Sequence, residues 1–258
     1  MFYDKHILGK MAEPAIAMAT FVAYKGIKDL PFSYITQTDY NLCKWLNGSF
    51  CSRIASLVAA VLVYILYLQI SAAVQKPVKN ALRDPLLPGL KGALIGAGIM
   101  GMSIVANIVF GFIELKGIDY EKLNIFPLIG MLMTGFTEEL MYRALPINAL
   151  RPYLSDNIVV GLTALLFGYI HSQSLYYGIS AALFGLLTGY GFIKYGLYWA
   201  SSLHAASNIV ETMFYSVFKY KVKNPVMAGL RSTPDDDGTT TSLIQLLVLF
   251  GLKYIGYL

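Results

Sequence analysis

The chain alternates long apolar runs with short polar breaks, and the length of the runs decides the class of element. Crossing about 30 Å of hydrocarbon takes roughly 20 helical residues. Four windows meet that length cleanly: Ile54–Val74, Gly92–Ile113, Ser174–Ile193 and Leu197–Phe218. Four more are shorter or interrupted: Ala12–Tyr24, Leu123–Leu145, Ile158–His171 and Thr241–Tyr257. The first of these contains Glu13 and Pro14 and also fits an interfacial segment. The pattern therefore predicts an all-α, polytopic transmembrane bundle of about eight helices, with six or seven as the alternative.

The breaks read as loops. Residues 25–53 are polar, residues 75–91 hold three prolines and four basic residues, and residues 219–240 end in the solvated run TPDDDGTT. Three adjacent Asp in that run fit a surface turn better than a cation site. Gly92-xxx-Gly96 and Gly185-xxx-Gly189 place small residues on one helix face, which suits close packing in lipid. Tyr176, Tyr177 and Tyr190 read as interfacial anchors or packing groups. No internal repeat stands out, and residues 1–258 are expected to form a single membrane domain with its chemistry in about 123–218.

Composition agrees. The chain is 56% hydrophobic and 14% charged, with mean hydropathy +0.57, against about 25% charged in a soluble domain. Its net charge of +5 is scattered over loops, which suits anchoring to anionic lipid and gives no nucleic-acid footprint. No cleavable signal peptide is expected. Eight spans put both termini on one side, and the distribution of Lys and Arg favours the cytoplasm. Cys43 and Cys51 lie eight apart in the first loop and read either as a disulfide or as two thiols.

The intramembrane ionisable groups change the picture. All nine Asp fall in predicted loops, whereas Glu114, Glu138, Glu139, Glu211, His171 and His204 fall within or at the edge of predicted spans. A charge near the bilayer centre costs at least about 2.5–3.5 kcal/mol and normally faces protein or a watery cavity. Within TGFTEELMYRALP, residues 134–146, Glu139 and Arg143 are four apart and share a helix face. Glu138 and Arg143 diverge by roughly 140°. Glu139 and Arg143 thus neutralise each other. Glu138 points elsewhere, on the face of Tyr142, as a carboxylate free for general-base work. Glu114, at a span end, is expected to snorkel.

His204 and Asn208 are again four apart, an imidazole and a carboxamide on one face, with Glu211 three beyond Asn208. Glu211 is a candidate acceptor for the His204 ring N–H. Taken singly, an intramembrane His or a Glu/Arg pair is more often structural. Together, Glu138, His171, His204 and Asn208 suit hydrolysis of an amide inside the membrane. Glu138, helped by His171, would deprotonate water, and His204 with Asn208 would stabilise the oxyanion. The sequence lacks a Gly-x-Ser-Gly nucleophile, a pair of intramembrane Asp and a His-Glu-x-x-His helix. Glu138, His171 and His204 have the composition of an open two-His, one-Glu Zn²⁺ site, so metal-bound and directly activated water are both consistent with them.

EELMYR, FGYIH and HAASN, in that order on successive apolar segments, resemble the EExxxR, FxxxH and HxxxN motifs of the CPBP family, the CAAX proteases and bacteriocin-processing enzymes once called the Abi family. The similarity covers roughly residues 130–210. It implies that Glu138 is catalytic, that Glu139 and Arg143 support it, and that His171, His204 and Asn208 complete the site. It also implies an eight-helix bundle with a conical polar cavity. The implied substrate is a prenylated CAAX protein or a peptide precursor. Ala144 stands where many members have Gly, and it is small enough to keep helices close. The rival readings are a proton- or ion-coupled transporter and a non-catalytic scaffold or immunity protein. Clustering of the polar groups in one third of the chain, without repeated halves, argues against the first. The compact 171–204 region points to a prokaryotic plasma-membrane protein.

Overall fold

The computed structural model describes residues 48–73, 86–120, 125–172, 174–228 and 238–258, with seven positions between 15 and 24. Most of the Ala12–Tyr24 window, Cys43 and the Asp235–Asp237 run lie outside the described residues. Cys51 is disulfide-bonded.

The described chain is a helical bundle. Its long helices are α1 (Gly48–Ala73) and α2 (Leu86–Val109). After a short strand β1 (Ile113–Ile118) comes α3 (Ile125–Glu139), which runs through a π-helical turn at Leu140–Ala144 into the short α4 (Leu145–Leu150). Next are α5 (Asp156–Ile170), α6 (Leu175–Tyr195) and α7 (Leu197–Val217). Strand β2 (Phe218–Val222), α8 (Pro225–Ala228) and α9 (Thr239–Tyr254) complete the chain.

Among the described residues, three helical segments are both long and apolar enough to cross a membrane: Phe50–Gln69, Leu86–Val109 and Leu175–Tyr195. The expected class, an all-α helical bundle with long apolar helices, is met. Helix α7 has the length, but one side carries Ser201, His204, Ser207 and Asn208, which lowers its hydropathy and turns it inward. Large apolar side chains such as Leu62, Leu94, Leu165, Leu247 and Phe250 point outward, as side chains facing lipid do.

Close packing centres on α7. An added Cβ on Gly92 would lie 2.2 Å from the Trp199 carbonyl oxygen, and one on Gly96 2.1 Å from that of Leu203. No side chain fits there, so α2 and α7 touch backbone to backbone, and Ser207 Oγ donates to the Gly96 carbonyl at 3.1 Å. Lipid tails are as apolar as Leu, so such packing, rather than a hydrophobic drive, holds helices together in the membrane. Gly185 does the same on α6, where a Cβ would meet Ala164 Cα of α5 at 2.9 Å. Gly196, at φ +87°, makes the tight link from α6 to α7, a conformation that glycine adopts at little cost.

Two sequence boundaries are corrected. The expected Gly92–Ile113 helix starts at Leu86, because Pro88 is tolerated in a first helical turn. It ends at Val109, where Gly111 at φ +72° turns the chain into β1. The expected loop after Phe218 begins as β2, which pairs antiparallel with β1 and puts Glu114 opposite Lys221. Phe218, Tyr220 and Val222 pack with Ile113 and Phe214, while Lys219 and Lys221 face away. Glu114 therefore does not snorkel from a helix. It pairs with Lys116 and, at 2.8 Å, with Lys223.

Candidate active site

The π turn follows from Pro146. An α-helix would bring the proline ring against the Tyr142 carbonyl and leave that carbonyl without its N–H partner. Instead the Leu145 N–H reaches back to the Leu140 carbonyl, a five-residue bond, and the turn widens. Such turns recur at functional sites. Here the widened turn joins Glu138 and Glu139, at the end of α3, to Arg143.

Glu139 and Arg143 are both fully buried. Arg143 Nε lies 3.3 Å from Glu139 Oε2 and donates to Thr188 Oγ1 at 3.0 Å. Its guanidinium carbon sits 4.1 Å from the centroid of the Phe167 ring, a cation–π contact in a desolvated setting. The other oxygen of Glu139 is 2.8 Å from His204 Nδ1. A carboxylate can only accept, so Nδ1 carries the proton and Nε2 turns to the cavity. Glu139 thus holds the ring that Glu211 was expected to hold; Glu211 lines the cavity wall instead.

His171 closes α5 as its C-cap. Its Nδ1 lies 2.8 Å from the Phe167 carbonyl, another group that only accepts, so Nε2 again faces inward. Glu138 Oε2 lies 3.7 Å from His171 Nε2 and 3.9 Å from His204 Nε2. These separations exceed a direct hydrogen bond. The structure thus brings Glu138, His171 and His204 to one point, and Asn208 lines the same cavity of about 460 Å³, within the roughly 300–1,000 Å³ of small-ligand sites.

Phe167 is more than a motif marker. Its ring lies 4.2 Å from that of His171, 6.0 Å from His204 and 5.5 Å from Tyr142, centroid to centroid. Tyr142 therefore serves as an edge-on packing partner rather than a cavity group. Phe184 of α6 also lies against His204, at 4.9 Å between ring centroids. Among the described residues, no three His, Cys, Asp or Glu side chains group as metal ligands.

Several cavity groups escaped the sequence reading. Arg53 of α1 enters beside Gly130, where a Cβ would stand 2.6 Å from its Cδ, and donates to Thr134 Oγ1 at 2.7 Å. In sequence it falls at the end of the polar stretch 25–53. Tyr177, expected as an interfacial anchor or a packing group, lies 5.8 Å from His171 ring to ring and lines the cavity. Gln245 of α9 also lines it. A lone amide in an apolar run was the available signal for Gln245.

No curated protein matches the chain. Residues 120–210, about a third of it, match the family described as type II CAAX prenyl endopeptidase, Rce1-like. The matched segment runs from just before α3 to the second half of α7 and holds every one of Glu138, Glu139, Arg143, His171, His204 and Asn208. Over that segment the chain is similar to the type II CAAX prenyl endopeptidase family.

Proposed function

We propose that the protein hydrolyses a peptide bond near the C-terminus of a prenylated CAAX protein or a related peptide precursor, using a water molecule activated by Glu138. The observation that carries this reading is the approach of Glu138 to His171 and His204 at 3.7 and 3.9 Å inside one cavity. Water between these groups donates one hydrogen to Glu138 Oε2. As its oxygen attacks the scissile carbonyl, that proton passes to Glu138. The carbonyl oxygen becomes an oxyanion, which accepts from the Asn208 amide and from His204 when Nε2 carries a proton. Glu139, opposite Nδ1, supplies the counter-charge that this form of His204 needs. Collapse of the intermediate breaks the C–N bond, and the proton held by Glu138 goes to the leaving amine, with His171 orienting the exchange. The whole chain acts as one membrane domain in this reading, with lipid around it and the prenyl group of the substrate among apolar side chains.

Purified protein in proteoliposomes is expected to release the C-terminal tripeptide from a farnesylated CAAX peptide, and Glu138→Ala is expected to abolish release. Equal release by both proteins contradicts the proposal.

A further inference from the structure

We propose that Gln245 is a substrate-binding residue whose carboxamide nitrogen donates a hydrogen bond to a main-chain carbonyl of the peptide in the cavity. This rests on the endopeptidase reading above and assigns one wall of the site to the peptide.

Gln245 sits in the apolar middle of α9, between Ile244 and Leu246. It is 2% exposed, yet it lines the same cavity as Glu138 and His204. Its Oε1 accepts from Ser180 Oγ of α6 at 3.3 Å, and Ser180 is itself fully buried. In this arrangement the oxygen is engaged by Ser180 and the amide nitrogen is the atom left over. That nitrogen, with two N–H groups, has no hydrogen-bond partner among the described residues and borders the cavity. An amide left unpaired in an apolar wall costs free energy that an apolar residue would not. A bound acceptor removes the cost.

The chemistry of that acceptor follows from the donor. A neutral amide N–H matches a neutral carbonyl, and a prenyl chain offers no acceptor at all. A carboxylate has a stronger partner in the guanidinium of Arg53 on the same cavity. What remains is the peptide backbone. Position agrees: Ser180 lies one turn before Phe184, whose ring contacts His204 at 4.9 Å. A peptide whose scissile bond lies at Glu138 and His204 therefore passes close to the α6–α9 wall. Gln245 also lies outside the 120–210 match, so α9 adds a contact that the matched segment does not contain.

A residue that binds peptide equally before and during reaction changes KM and leaves kcat alone. Gln245→Leu, of similar volume, and Gln245→Glu, which keeps the acceptor for Ser180 but loses the donor, are compared with wild type in proteoliposomes on a farnesylated CAAX peptide. The expected result is a KM raised about three- to tenfold with kcat within twofold, the scale of one lost hydrogen bond. Affinity for the same peptide, measured on E138Q with and without Q245L, is expected to weaken by the same factor. Ser180→Ala is expected to give a smaller rise in KM. Unchanged KM and unchanged affinity in both Gln245 variants overturn the inference, as does a loss confined to kcat. If wild type binds the peptide without cleaving it, the endopeptidase reading fails while the affinity comparison still decides the role of Gln245. If wild type neither binds nor cleaves, both fall.

Discussion

At the scale of single residues, the decisive pair is Glu138 and Glu139, adjacent in sequence and opposite in duty. Glu139 is buried against Arg143 and the Nδ1 of His204. It has no route to substrate. Its replacement by Gln keeps the shape but removes the charge that orients His204 and balances Arg143. Tripeptide release by Glu139→Gln is expected to fall about 10²- to 10⁴-fold in kcat, the scale of losing a correctly held imidazole. Arg143→Lys is not conservative, because a point charge can neither keep the Nε bond to Thr188 nor lie flat on Phe167. Breaking a buried pair costs about 3–5 kcal/mol, so a lower thermal midpoint in detergent is the expected outcome for Arg143→Lys. Helical spacing alone separated the two Glu. It could not show that Glu139 reaches His204, because that contact joins residues 65 positions apart.

At the scale of elements, packing of α2 on α7 carries His204 and Asn208 to their places. Any side chain at Gly96 meets the Leu203 backbone, one residue before His204. Gly96→Val is therefore expected to push the helices apart at a cost of about 1–3 kcal/mol or more. Its effect should appear both in thermal stability and in lost cleavage, whereas Gly98→Val, with open space around its Cβ, should be near neutral. The small-residue spacing announced this contact. The β1–β2 pairing was not announced, since each strand is only five or six residues long and borders a long apolar helix that draws the boundary past it. Hydrogen bonds from Lys116 and Lys223 hold the Glu114 carboxyl down at about 2, from an ordinary 4.5. A lowered carboxylate contributes stability above its unfolded pKa and loses it as pH falls through the folded value. Amide protection in the β1–β2 pair, corrected for the intrinsic pH dependence of exchange, is thus expected to be steady above pH 4.5 and to fall from there toward pH 2, and Glu114→Gln should remove that dependence. The π turn was equally hidden: Pro146 was visible, but whether a chain answers a proline with a kink, a break or a wide turn depends on its neighbours.

At the scale of the whole molecule, the class was legible because lipid imposes a strong rule on composition, while the number of spans was not. Helix α7 shows why. It is long enough to span, but its inward polar face, the face that carries the chemistry, dilutes the hydropathy signal. The candidate site was legible in its charged members, which stand out against apolar sequence. Its neutral and distant members, Gln245 and Arg53, entered only when the helices were assembled around one cavity. The proposed mechanism rests on Glu138 as activator of the hydrolytic water. The direct test is the single-turnover rate of tripeptide release from a farnesylated CAAX peptide by wild type and by Glu138→Gln, a change that preserves size and removes the base. A fall of at least about 10²-fold with peptide affinity retained is the predicted result, and an unchanged rate would contradict it.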